Sequence, residues 1–343
     1  MAFKDCIGGD FKQRINLSYS ALNVINSDMS AFHNNQFTNF INTVITNHIY
    51  KSDASISIAL ERERKKLEQQ LKTLNCSETD KIIARLLGIK KTELTKKAAS
   101  YENFKSCPVR LHKGTVEYLT DPYSECKENI YYNNKPGKYL KALVEDYASK
   151  PYSERELIYF ADRVTLIKTA IKERRKLSVK FSDERHYIIY PVKLVKDPMA
   201  IYNYVVGYSF NKEDKAKSPV SLRISGDFDI RLMNGEFSLS KEDIKNLNNC
   251  INNKGIQFLI GEESDIVVIL TERGKQKFSS QIHLRPSPVE VRNGNEYVFR
   301  CTPAQAEFYF VKFGKDAYIK EPEDLHRKML NIYHEAYKVY KQD

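Results

Sequence analysis

Polar and apolar residues alternate along "FKQRINLSY". Phe11, Ile15, Leu17 and Tyr19 mark one side, broken at Gln13, and Lys12, Arg14, Asn16 and Ser18 mark the other. A period of two predicts a strand. The period then becomes helical. Leu22, Ile25, Met29 and Phe32 share one helix face, and Phe37, Phe40, Ile41, Val44, Ile45 and Ile49 share another after the polar break "HNNQ". The pattern returns about ninety residues later, where "RINLSYSALNVI" aligns with "PVRLHKGTVEYL" at a constant offset. Ile15 then matches Val109, and Leu17 matches Leu111. A second helix follows here too, "GKYLKALVEDYA", with Tyr139, Leu140, Leu143, Val144 and Tyr147 on one side. Between the copies, "SISIALERERKKLEQQLKTL" reads as a charged bridging helix whose "ERERKK" run faces solvent. Ser77 is expected to open a capping box and Gly88 to stop the next helix.

One strand-helix-helix unit cannot bury its apolar face, whereas two can, by pairing strands antiparallel and crossing helices. This pattern resembles the ribbon-helix-helix family, with both halves in one chain. The resemblance implies a ribbon that reads base edges in the DNA major groove. The readers would be Lys12, Arg14, Asn16 and Ser18 on the first strand, and Arg110 and His112 on the second. Asn and Arg suit bidentate contacts to adenine and guanine. The second copy departs from the pattern at Pro108, which has no N–H for the ladder and weakens a duplex reader.

The middle of the chain opens with an amphipathic helix, "DRVTLIKTAIKERRKL", which turns Val164, Ile167, Ala170 and Ile171 inward. Five short strand signals follow: "LSVKF", "RHYIIYPVKLVK", "AIYNYVVGYSF", "SPVSLRIS" and "DFDIRLM". A helix and five strands predict a small closed barrel. Alternation assigns Leu177, Val179 and Phe181 to the core of the first strand, Ile188, Tyr190, Val192 and Leu194 to that of the second, and Val220, Leu222 and Ile224 to that of the fourth. Phe228, Ile230 and Leu232 follow on the fifth. The other face gathers Lys180, Arg185, Lys193, Ser221, Arg223 and Arg231, a surface able to grip phosphate and stack on bases. On the third strand Tyr202, Tyr204 and Tyr208 share one parity and are expected to line the core, which leaves Asn203 on the open face. A bulge at Gly207 would reverse that parity and make the rings a stacking platform.

The order helix, "KLSVKF", "IIYPVKLV", "NYVVGY", "SLRIS" resembles the WYL-domain family, which implies an Sm-like barrel that senses ligands or nucleic acid. The family's Trp-Tyr-Leu falls on Asn203, Tyr204 and Val205, so only the tyrosine is kept. Its basic positions fall on Arg223 and Arg231.

From about residue 237 a further α/β segment is expected. "DIVVILTERGKQKF" reads as a strand entering a helix, and "VEVRNGNEYVFRCT" as a hairpin about Asn293-Gly294. A helix, a short extended piece and a long closing helix follow, the last carrying Ile332, Tyr333, Ala336, Tyr337 and Tyr340 on a core or partner face. Arg285 and Arg300 are further candidate phosphate contacts. The expected fold class is therefore α+β. Residues 1–152 are expected to form the pseudo-repeated ribbon-helix-helix with its helical insert, 153–236 the WYL barrel, and 237–343 an α/β segment that resembles the extension following many WYL domains, a resemblance that implies a homodimer.

Charge and chemistry narrow the function. The net charge of +11 over 343 residues favours a polyanionic partner. No stretch approaches the length of a membrane helix, and the N-terminal "MAFKDCIGGDFKQR" has no signal-type apolar run, so the chain is expected in the cytoplasm. Cys6, Cys76, Cys107, Cys126, Cys250 and Cys301 form no CxxC pair, and His334-Glu335 lacks the second His of a zinc motif. No Walker loop, G-x-S-x-G motif, paired metal motif or Cys/His arrangement is present, so neither enzyme activity nor a cofactor is expected. The whole pattern resembles the WYL accessory proteins of type VI-D CRISPR systems. That implies binding of single-stranded RNA and enhancement of an RNA-guided effector. The alternative is a transcription regulator that binds duplex DNA and senses a ligand in its barrel.

Overall fold

The computed structural model describes residues 12–71, 78–120, 127–197, 201–210, 217–259 and 263–341. The chain divides into two compact units. The first comprises Met1–Leu166, Ala200–Asn203 and Ile224–Phe228; the second comprises Ile167–Met199, Tyr204–Arg223 and Asp229–Asp343.

In the first unit, β1 (Lys12–Leu17) pairs antiparallel with β2 (Lys105–Arg110), with Lys12 opposite Arg110, Arg14 opposite Pro108 and Asn16 opposite Ser106. Pairing continues through Pro108, because each strand of a two-stranded ribbon has a free outer edge where a missing N–H costs little. Helices α1 (Tyr19–Ala31) and α2 (Phe37–His48) follow β1, then α3 (Ile56–Leu71) and α4 (Thr79–Ala99). After β2 come α5 (Lys113–Thr120), a 3₁₀ turn at Lys127–Tyr132, α6 (Pro136–Ala148) and α7 (Tyr152–Tyr159). Ile15, Leu17, Cys107 and Val109 enter a core with Phe40, Ile41, Val44, Leu140, Leu143 and Tyr147. Ile15 and Leu17 are essentially fully buried, which stabilises the unit by about 2 kcal/mol each.

Gly88 does not stop a helix: α4 runs through it to Ala99. An interior glycine weakens a helix by about 1 kcal/mol without breaking it. The Ser77 cap lies outside the described residues. The "ERERKK" face of α3 is solvated as expected, with Lys65 paired to Glu61 at 2.9 Å. Tyr19 belongs to α1 rather than to the strand, and is exposed.

Helix α8 (Ala161–Lys172) precedes a five-stranded sheet of β3 (Arg175–Phe181), β4 (His186–Lys196), β5 (Asn203–Phe210), β6 (Lys217–Arg223) and β7 (Phe228–Glu236), ordered β6-β5-β4-β3-β7. Helix α9 (Lys241–Lys254) follows, opened by a capping box between Ser240 and Asp243. A second sheet orders β11 (Ala317–Glu321), β8 (Ser264–Leu270), β10 (Glu296–Cys301) and β9 (Pro288–Arg292), with α10 (Glu272–Ser280), α11 (Pro303–Phe310) and α12 (Glu323–Tyr340). The β9–β10 hairpin turns through Asn293, Gly294 and Asn295, with Asn293 and Gly294 at positive φ and the Asn295 N–H donating to the Arg292 carbonyl at 3.3 Å. Ile266, Val268, Phe299, Tyr309, Phe310 and Phe313 form the core of this part. Among the described residues no helix is long and apolar enough to cross a membrane.

Candidate nucleic-acid interface

Antiparallel pairing gives the β1–β2 ribbon two unlike faces. Its covered face holds Ile15, Leu17, Cys107 and Val109. Its open face holds Lys12, Arg14, Asn16, Ser106, Pro108 and Arg110, all exposed. Among the described residues, three cations and no carboxylate occupy that face. Lys12, Arg14 and Asn16 make no side-chain hydrogen bond or ion pair among the described residues.

Ser18 and His112 do not belong to this face. Ser18 is buried and caps α1, its Oγ accepting from the Ala21 N–H at 3.1 Å. It also donates its N–H and Oγ to the buried Glu145 at 2.6 and 2.8 Å. His112 lies past the end of β2, where burial pushes its pKa down. Its backbone N–H donates to Asn42 Oδ1 at 3.0 Å, and Asn42 Nδ2 donates to the Arg110 carbonyl at 2.9 Å. A buried amide on α2 thus fixes the end of β2. The strand period continued past both strand ends in the sequence, so only the backbone showed where reading had to stop.

A cavity of about 670 Å³ flanks the ribbon. Arg14 and Asn16 form part of its wall, with Tyr101 and Asn103 before β2, Tyr131 to Asn134 at the 3₁₀ turn, and Lys135, Lys138 and Lys141 at the start of α6. No carboxylate is among its described lining residues. Lys141 donates to the Tyr101 carbonyl at 2.8 Å and to Asn103 Oδ1 at 2.6 Å, and burial lowers its pKa. Lys135 and Lys138 are exposed and make no side-chain bond among the described residues. Helix α6 reaches this place because residue 137 is glycine: a Cβ there would clash with the Gln13 amide and stand 3.0 Å from the Arg14 carbonyl. At the Leu17–Lys105 end of the ribbon, Tyr19 and Phe104 meet edge to face at 5.2 Å, both more than 60% exposed. Sequence reasoning missed the cavity. Its available signal was the run "YYNNKPGK" at residues 131–138.

The five-stranded sheet distributes the other candidates differently. Leu177 stands opposite Ile189, and Val179 opposite Tyr187. The covered face of β4 therefore carries Ile189 and Pro191, and the expected parity of Ile188, Tyr190, Val192 and Leu194 is corrected: all four are half-buried. Lys193 is half-buried and donates to Asn248 Oδ1 at 2.6 Å. Arg185 is exposed but holds Asp183 at 2.7 Å. Lys180 and Arg231 are exposed and make no such bond among the described residues. Arg223 is half-buried opposite Tyr204, and Ser221 is buried opposite Val206.

Asn203 is not on an open face. It is buried, and its N–H and Nδ2 both donate to Glu156 Oε2 at 2.8 Å, with Nδ2 also donating to the Ser153 carbonyl at 2.7 Å. The other Glu156 oxygen accepts from the Ser225 N–H at 3.1 Å. In this chain Asn203 secures the strand entrance. Tyr204 and Tyr208 are buried, the latter donating to the Asp243 carbonyl at 2.6 Å, and Tyr202 packs edge-on to Tyr152 at 5.3 Å. These rings are packing, not a stacking platform. No parity reversal occurs at Gly207, whose missing side chain lets β5 approach the Tyr190 carbonyl.

Arg285 donates to the Phe278 carbonyl at 3.1 Å, and Arg300 pairs bidentately with Asp265 at 2.8 and 2.9 Å. Both guanidinium groups are engaged within the chain. Among the described residues no group of three or more His, Cys, Asp or Glu is placed to hold a metal ion.

A buried polar knot lies in the first unit. Asp146 on α6 accepts from His48 Nε2 at 3.0 Å and Ser52 Oγ at 2.7 Å, while Lys97 Nζ lies at 2.9 Å and Lys150 Nζ at 3.5 Å. Burial opposes ionisation. The bonds from His48 and Ser52, with the lysine charges, outweigh it and hold the carboxyl well below the usual carboxylate range. His48 and Ser52 bond the same carboxylate oxygen rather than each other, an arrangement that ties α2 and α4 to α6 and provides no nucleophile–base pair.

No protein-family model matches the chain, and no curated protein matches it either. Among solved structures, the chain shares its fold with one described as a CRISPR Cas-related protein, at TM-score 0.71 and 23% identity, over 97% of this chain and 94% of that one. Proteasome accessory factor B/C of Arthrobacter aurescens overlaps at TM-score 0.31 and 15% identity, over 65% of this chain and 35% of that one.

Proposed function

We propose that this chain is a nucleic-acid-binding accessory protein of a CRISPR system, which holds single-stranded RNA and enhances an RNA-guided effector of type VI-D. The observation that carries the binding is the open face of the β1–β2 ribbon, where Lys12, Arg14 and Arg110 stand together and no carboxylate of the described strand residues shares the face. The net charge of +11 supports a polyanion as partner. A fold shared over nearly the whole chain with a CRISPR Cas-related protein supports the setting. The chain acts by capture, raising the local concentration of RNA for the effector, rather than by catalysis.

The reading keeps the five-stranded sheet as the Sm-like barrel of a WYL domain, with Lys180 and Arg231 as its phosphate contacts. It also keeps the C-terminal segment as the dimer-forming part. Leu330, Tyr337 and Tyr340 of α12 are exposed, and β11 is an edge strand, which together offer a face for a second copy. A second reading, a duplex-DNA-binding regulator, is favoured by one observation: the ribbon pairs without interruption through Pro108.

Filter binding at several salt concentrations separates the two. The RNA reading expects single-stranded RNA to bind more tightly than duplex DNA, with affinity falling steeply as salt rises. Tight, sequence-specific duplex binding without RNA affinity would overturn it.

A further inference from the structure

The geometry points to a nucleotide subsite in the cavity beside the ribbon: it takes one unstacked nucleotide of a single strand, with the base on Tyr131 and the phosphates on Lys135 and Lys138. This rests on the nucleic-acid reading of the ribbon and adds a place where a single strand differs from a duplex.

Four observations carry it. First, the cavity adjoins the ribbon's open face, since Arg14 and Asn16 belong to both. A strand lying on the ribbon passes its rim. Second, its volume of about 670 Å³ falls in the range that holds a small organic ligand, roughly 300–1,000 Å³. That admits a nucleotide and excludes a paired helix. Third, its charge has one sign among the described residues: Arg14, Lys135, Lys138 and Lys141 line it and no described carboxylate does. Lys141 is engaged with Tyr101 and Asn103, so Lys135 and Lys138 remain as the phosphate contacts. Fourth, Tyr131 is half-exposed and lines both this cavity and a neighbouring one of about 330 Å³. Lys91 from that second cavity lies 5.4 Å from its ring centroid. A ring held between two hollows is a surface for a base, whose π face stacks whatever its identity. The amides of Asn16, Asn103 and Asn133 supply donors and acceptors around it. A duplex cannot use the subsite without unpairing a base.

The test uses the full chain and a single-stranded oligonucleotide about a dozen nucleotides long carrying the fluorescent base 2-aminopurine, beside a duplex of the same sequence. Tyr131→Leu should weaken single-strand binding about tenfold and relieve the quenching of 2-aminopurine. Tyr131→Phe should retain both properties. Lys135→Ala with Lys138→Ala should lower the salt slope of single-strand binding by about two. Duplex binding should be unaltered by all of these. Lys12→Ala with Arg110→Ala, outside the cavity, should weaken both ligands. Thermal melting should show each variant folded; the two lysines are exposed, so that arm stands even if Tyr131→Leu unfolds. If the oligonucleotide binds wild type, Tyr131→Leu and the lysine pair with equal affinity, the subsite is overturned and the ribbon reading survives. A wild-type chain that binds neither ligand overturns both.

Discussion

The β1–β2 ribbon and the five-stranded sheet both carry alternating strands with cations at every second position, yet only the ribbon keeps its cations together on an open face. The ribbon is two strands wide and is covered on one side only, so period two maps onto buried and open. Lys12, Arg14 and Arg110 are exposed as a set. Strand β5 has neighbours on both edges, and its residues Asn203 to Tyr208 are all buried. With both faces covered, alternation no longer distinguishes inside from outside. Polar side chains there find internal partners, as Asn203 does with Glu156 and Lys193 with Asn248. A cationic residue on a strand is a candidate contact only where one face of its sheet is free.

The comparison can be broken at four places. The largest effect is expected behind the ribbon. Asp146→Ala leaves His48 and the lysines without their carboxylate and should cost about 3–5 kcal/mol in denaturant unfolding. The sign with pH follows from the depressed pKa of Asp146: its stabilisation is complete above the unfolded carboxyl value of about 3.9. It is lost as pH falls from there through the folded value. Asp146→Asn should flatten the acid limb of a stability–pH profile, and an unaltered limb would remove the knot from the account. Next is Gly207→Ala, which drives a methyl into the Tyr190 carbonyl and should destabilise the chain by about 3 kcal/mol. A neutral result would mean that β4 and β5 are not as closely apposed as described.

Binding effects come third. Lys12→Ala, Arg14→Ala and Arg110→Ala combined should weaken nucleic-acid binding about a hundredfold near physiological salt and lower the salt slope by about three. The smallest effect belongs to the sheet. Lys180→Ala with Arg231→Ala should weaken binding about threefold. A loss there larger than at the ribbon would reverse the comparison and make the sheet the principal surface.

Much of the secondary structure was legible. The repeat predicted a paired strand before each helical pair, and β1 and β2 pair. The Asn293-Gly294 hairpin and the long closing helix follow from local chemistry. The shared exposed face of Lys12, Arg14, Asn16 and Arg110 was legible, because a half-covered strand writes its burial into the sequence. Ser18 and His112 were misplaced because capping and a buried Asn42 end the strand where the pattern does not. Asn203 was misplaced because a family position was carried onto a residue whose partner, Glu156, lies 47 positions away. The cavity was invisible for the same reason: its walls come from β1, the end of α4, the α4–β2 connection, the 3₁₀ turn and the start of α6.

The sequence alone determined the periods, the caps, the turn at Asn293 and the excess of positive charge, all properties of neighbours along the chain. Which cations stay free, which tyrosines are covered and where a hollow opens beside the ribbon were decided only by tertiary structure. Burial and ion pairing are set by residues brought together in space, and a linear pattern records only one side of each such contact.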